Sequence, residues 1–177
     1  MKTADFIREH NACREGARWA LSISSDMADV WDAMVKQNRH DWLLWAAIRP
    51  GVFHGAVMRK LACRFVRETP LSDGRMVWDL LTDDRSRRAI EVAEAFANGK
   101  ATESELSAAY AVAYSAACVA AEAAAYAAAY SAHAAAWPAF DAAARAAAFY
   151  DASADAKSAQ VQMIAELGNP FKKGAYT

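Results

Sequence analysis

From Thr102 to Trp137 the chain contains no Gly and no Pro, and more than half of the stretch from Ala108 to Trp137 is alanine. Alanine has the highest helix propensity, so these about 35 residues at ~1.5 Å rise predict a helix of about 50 Å. A Thr102-Glu103-Ser104-Glu105 sequence opens it as a capping box, the Thr102 hydroxyl and Glu105 carboxylate each satisfying a backbone donor. Pro138 then removes a donor and clashes with the preceding turn, which predicts a break after Trp137. A second helix is expected to run to Leu167 and stop at Gly168 and Pro170. Val112, Val119, Tyr126, His133 and Phe140 repeat by seven in the first helix, and Phe140, Ala147, Ala154 and Val161 in the second. Small residues let two backbones approach closely, so the expected role of the run is packing, the two helices lying antiparallel or against the rest of the chain. A repetitive ice-binding face would need regularly spaced Thr, and Ala108–Trp137 contains none.

Alanine buries little area, so such a rod needs a core built elsewhere. The large apolar residues cluster before Ala101. Ser25 or Asp26 can cap a helix in which Met27, Val30, Trp31 and Met34 share one face. In HDWLLWAAIRPG, Asp41 can cap, Trp42, Leu43 and Trp45 are apolar on more than one side, and Pro50-Gly51 ends the element, so a central helix is expected there. Val57, Leu61 and Phe65 continue at four-residue steps beside Arg59, Lys60, Arg64 and Arg67, until Pro70 and a Ser72-Asp73-Gly74 turn. Ala89, Val92, Ala93 and Phe96 line a further helix stopped at Asn98-Gly99. The expected fold is therefore all-α and a single domain over 1–177. Short Trp-rich helices form a bundle over 1–100, two long Ala-rich antiparallel helices with a break near Pro138 fill 101–168, and a tail covers 169–177.

Several chemistries are set aside by what the chain carries. Cys13, Cys63 and Cys118 fall in no metal or redox spacing and read as reduced, mostly buried thiols. His10, His40, His54 and His133 lie in separate segments with no ligand pairing, and His133 reads as a semi-buried core residue. No nucleophile motif, phosphate loop or paired-carboxylate signature occurs, so neither catalysis nor a cofactor nor a metal is expected. The N-terminal residues carry acids and no signal-length apolar run, and the Ala-rich run is too weakly apolar for a span, so a cytoplasmic protein without membrane contact is expected. A formal net charge of -1 provides no global field for nucleic acid. A nucleic-acid-binding regulator would need Arg59, Lys60, Arg64 and Arg67 to join Arg85, Arg87 and Arg88 on one surface. The densest local charge, DDRSRR over Asp83 to Arg88, makes Arg85, Arg87 and Arg88 the candidate partner-binding residues.

The order of HDWLLWAAI, DDRSRRAIEVAEAFANGKATESEL and the Ala- and Tyr-rich run resembles the immunity proteins of bacterial polymorphic toxin systems, immunity-like family five. The corresponding pieces are Asp41 to Trp45, Arg85 to Ala89, Phe96 to Gly99 and Ala108 to Tyr150. The resemblance implies an all-helical protein that acts by binding, with no catalytic residues to carry over. It points to a protein partner, a toxin or nuclease neutralised by steric occlusion. A phage-encoded anti-defence inhibitor, occluding a bacterial defence effector of the anti-CRISPR-target kind, is the alternative within the binding class.

Overall fold

The computed structural model describes residues 1–120 and 153–172, with the side chains of 1–113 and 155–172. Its helices are α1 (Thr3–His10), α2 (Arg14–Ile23), α3 (Met27–Lys36), α4 (His40–Ala47), α5 (Gly55–Glu68), α6 (Asp84–Ala97), α7 (Glu103–Ala120) and α8 (Ser153–Ala165), with a 3-10 turn over Val77–Leu80. Among the described residues there is no strand, and the extended pairing is confined to the isolated bridges Lys2 to Asp26 and Pro70 to Met76.

The first hundred residues supply the core. Asp26 caps α3 by accepting the Ala28 N–H at 3.0 Å, and Met27, Val30, Trp31 and Met34 are all buried on one face. Helix α4 sits centrally, with Leu43, Leu44, Ala46 and Ala47 fully enclosed. Its N-cap is Arg39 rather than Asp41, which falls in the first turn. Trp42 and Trp45 are only partly buried at the margin of the core, because the four residues between and after them occupy its centre. In α5, Leu61, Phe65 and Val66 are buried and Val57 is half-buried. The first two helices give weak sequence signals: α1 buries Thr3 and Phe6, and α2 only Ala20. They are tied to α3 by Thr3, whose N–H and hydroxyl donate to the Ser25 and Ser24 carbonyls, both at 2.9 Å.

Short stops set the chain's turns. Gly74, at φ +84°, closes the loop before the 3-10 turn. Gly99, at φ +70°, ends α6 in a left-handed cap, where Gly99 N–H donates to Phe96 and Lys100 N–H to Ala95. The chain then reverses through Thr102 into α7. Thr102 N–H donates to Glu105 Oε2 at 2.7 Å and Glu105 N–H to Thr102 Oγ1 at 3.2 Å, the reciprocal box expected from the sequence.

Both described parts of the Ala-rich region are anchored on this core. Helix α7 packs along α6, burying Leu106 and Ala113, while α8 packs on α3, α4 and α5. Ala156, Gln160, Met163 and Ile164 form the buried face of α8 at i, i+4, i+7 and i+8, and Val161 of the second seven-residue stripe is buried beside them. Gln160 donates to Thr69 Oγ1 at 3.2 Å inside the core. Beyond α8, Asn169 donates to the Ala28 carbonyl and to Asp32, each at 2.8 Å, and Phe171 sets its ring edgewise on Phe6 and Trp31. The residues called a tail are thus docked as far as Lys172, which pairs with Asp32 at 2.9 Å. Val112, one member of the heptad stripe, is exposed, and the buried register is Leu106 and Ala113 instead. The antiparallel pairing of two long helices, the break at Pro138, His133 and the Ala143–Ala147 seam lie outside the described residues.

The thiols divide. Cys63 is buried, and burial first, then the Glu94 charge, pushes it up to about 12, whereas Cys13 is exposed, against the expectation for it. Neutral thiols do not alkylate, so iodoacetamide at about pH 8 should modify Cys13 at least roughly 100-fold faster than Cys63. Site-resolved mass spectrometry checks this, and equal rates would show that Cys63 is accessible. Trp31→Ala, at a fully buried ring, should cost about 3–5 kcal/mol in denaturant unfolding, and Ala156→Leu about 1–3 kcal/mol by overpacking α8.

Candidate partner-binding site

Two lysine-free turns of α6 bring the predicted arginines to one place by different routes. A helix start disfavours positive charge, and acids offset it here: Asp83 is the N-cap and Asp84 the first residue. Asp83 accepts the Arg85 N–H at 2.8 Å and its guanidinium at 2.6 Å. Arg88 pairs with Glu91 at 3.2 Å and keeps 73% of its side chain exposed. Arg87 turns inward, its Nε donating to the Leu81 carbonyl at 2.8 Å while its guanidinium lies 5.6 Å from the Trp78 ring. Arg67 of α5 lies 4.0 Å from the same ring and pairs with Glu94 of α6 at 2.9 Å. Trp78 therefore carries two cations, and it fixes Arg87 as a support of the site rather than a free charge.

These residues border an open groove between α6 and α7, of about 900 Å³. One wall carries Arg85, Arg88 and Glu91 from α6, the other Glu105 and Val112 from α7, and Trp78 and Val92 add apolar surface. The groove mixes signs. Hydrogen bonds from the Thr102 N–H and hydroxyl, with the Arg88 charge behind them, hold Glu105 below the usual carboxylate range, and hydrogen bonds from Arg85 do the same for Asp83. Arg85, Arg87 and Arg88 all border this groove. The sequence reading did not anticipate Trp78, which the 3-10 turn sets beside Arg87, or Glu105 and Val112, which the fold of α7 back along α6 brings to the groove.

The other basic residues are engaged elsewhere. Arg64 makes a bidentate pair with Glu68 and reaches Glu166, next to α8, at 2.8 Å, and Arg59 lies over Phe96 at 4.7 Å. With Arg67 on Glu94, Arg64 and Arg67 tie α5 to α8 and α6, whereas Lys60 is exposed. His10 stacks edgewise on Phe6, His40 contacts Asp41 at 2.9 Å, and His54 precedes α5 as its N-cap. Among the described residues no group of three His, Cys, Asp or Glu side chains is arranged to hold a metal ion, and no helix is long and apolar enough to cross a membrane.

Carboxylates held low in the fold contribute stability that is present above about pH 4, the unfolded range, and is lost as pH falls through their folded values. Asp83 and Glu105 both belong to this class. The thermal midpoint should fall as pH drops from about 5 to about 3, and Asp83→Asn with Glu105→Gln should flatten that slope. A parent midpoint that stays level across the window contradicts the assignment.

Comparison with protein-family models, with curated proteins and with solved structures finds no match to this chain.

Proposed function

We propose that this chain is a protein-binding inhibitor, an immunity-type protein that neutralises a toxin or nuclease by occluding it, and that the α6–α7 groove is its contact surface. The observation that carries this reading is the composition of the groove. Arg85 and Arg88 stand exposed on its rim, alternating with Glu91 and Glu105, over apolar surface from Trp78, Val92 and Val112. An exposed apolar strip edged by charges of both signs complements a polypeptide surface. A phosphate backbone would call for unopposed cations, and here Arg64, Arg67, Arg85 and Arg88 each face a carboxylate. The resemblance to immunity proteins supports the same class of partner, and the cytoplasm is the place where such a partner would be met.

Occlusion is stoichiometric. Titrating the full chain against a purified candidate toxin or nuclease domain should give inhibition that saturates near an equimolar ratio and is unchanged by chelator. Arg85→Glu with Arg88→Glu should slow association by about tenfold at low salt while leaving the melting midpoint in place, since rim charges steer encounter. Arg87→Glu should behave differently and lower the midpoint, because Arg87 packs on Trp78. Inactivation at substoichiometric ratio would mean turnover and overturn the binding reading. An unchanged association rate in the double variant would remove the groove as the contact surface.

A further inference from the structure

We propose that the apolar pocket between α1, α2, α3 and α4, which opens to solvent on one side, is a binding site for one small neutral aromatic molecule of one or two rings. It lies apart from the α6–α7 groove, shares no lining residue with it, and the inference does not depend on the occlusion reading.

The cavity holds about 200 Å³. A water inside would need two to four polar partners. The walls supply almost none: they are built from Phe6, Trp19, Trp42, Trp45, Met27 and Met34, with Ala20 and Ala46 behind them. Apolar cavities of roughly 150 Å³ admit a benzene-sized guest, which sets the size class for this one.

The aromatic walls give the chemistry. Trp19 and Trp42 meet at 5.1 Å and a tilt of 49°, and Phe6 stands edge-on to Trp45 at 6.0 Å. Arg39 lies over both Trp19 and Trp42, at 5.6 and 5.0 Å, and holds the two indoles in place from outside. Trp42 and Trp45 are incompletely buried although Leu43, Leu44, Ala46 and Ala47 of the same helix are buried, and both line this space. Ring faces and edges, with two polarizable thioethers, complement a flat aromatic guest. The polar groups in the lining are the Cys13 thiol, whose Sγ accepts the Gly16 N–H at 3.3 Å, and the Asp41 carboxylate. With a carboxylate and no cation among the lining residues, a neutral ring is favoured over an anionic one.

The test uses the full chain and three probes, toluene and benzyl alcohol as neutral rings and benzoate as the anionic one. Toluene should shift tryptophan emission along a one-site curve with half-saturation below about 1 mM, as the area of a buried ring implies. It should raise the melting midpoint and, at about five times half-saturation, slow alkylation of Cys13 roughly fivefold without altering Cys63. Benzoate should bind at least about tenfold more weakly, because its charge would be desolvated beside Asp41. Ala20→Leu, which places a side chain in the cavity, should abolish the toluene response while keeping or raising the midpoint. A linear, non-saturating response with no protection of Cys13 overturns the proposal, as does an Ala20→Leu protein that responds like the parent. Should Ala20→Leu fail to fold, protection of Cys13 in the unaltered chain decides the question by itself.

Discussion

Alanine cannot make a core, and that constraint organises this molecule. A helix faced with methyl groups approaches its neighbours closely but removes little apolar area from water, so an Ala-rich segment is stable where larger side chains from elsewhere receive it. Here the receiving surface is α4 and the elements around it, with Leu43, Leu44, Ala46 and Ala47 enclosed on all sides. The segment is held at both of its described ends. Leu106 and Ala113 fix α7 to α6, and Met163 and Ile164 fix α8 to the core, with the Gln160–Thr69 hydrogen bond setting the register of α8. That bond favours this register, because a shifted helix would leave the buried Gln160 N–H without its Thr69 acceptor.

Electrostatics follows from the same arrangement. The chain is nearly neutral, and some of its ion pairs cross the seams between helices: Arg67 to Glu94 between α5 and α6, Arg64 to Glu166 between α5 and the end of α8, and Lys172 to Asp32 of α3. Such pairs add little free energy where they are exposed, and their use is to favour one mutual placement of helices over its neighbours. Trp78 has a related part. By carrying Arg67 and Arg87 on one ring it joins α5, α6 and the 3-10 turn, and it leaves Arg85 and Arg88 as the charges facing outward at the groove.

How much of this was legible in the sequence depended on contrast between helix faces. In α3 the contrast is strong, and Met27, Val30, Trp31 and Met34 were read as the buried face and are buried. The Thr102–Glu105 box and the Asn98-Gly99 stop were equally plain, because capping is local chemistry. In α7 the contrast fades, since alanine occupies every side, and the heptad through Val112 outweighed the true register through Ala113. Helices α1 and α2 bury so few residues that no stripe marked them. Trp42 and Trp45 read as core because apolar bulk is dense around them, but which face of α4 meets α1 and α2 is settled by distant residues such as Phe6 and Trp19. The arginines bordering the groove were singled out by charge density alone; Trp78 reaches Arg87 through the 3-10 turn, and Glu105 reaches the groove through the chain reversal at Gly99.

If the core of the first hundred residues receives α8 as an integral layer, the two must open together. Native-state hydrogen exchange of the full chain across increasing, sub-denaturing urea measures this directly. The slowest amides of α8, from Gln160 to Ile164, should exchange with the same free energy and urea dependence as the slowest amides of α4 and α5. Amides of α8 that exchange through a separate, lower-energy opening, while α4 and α5 remain protected, would contradict the account.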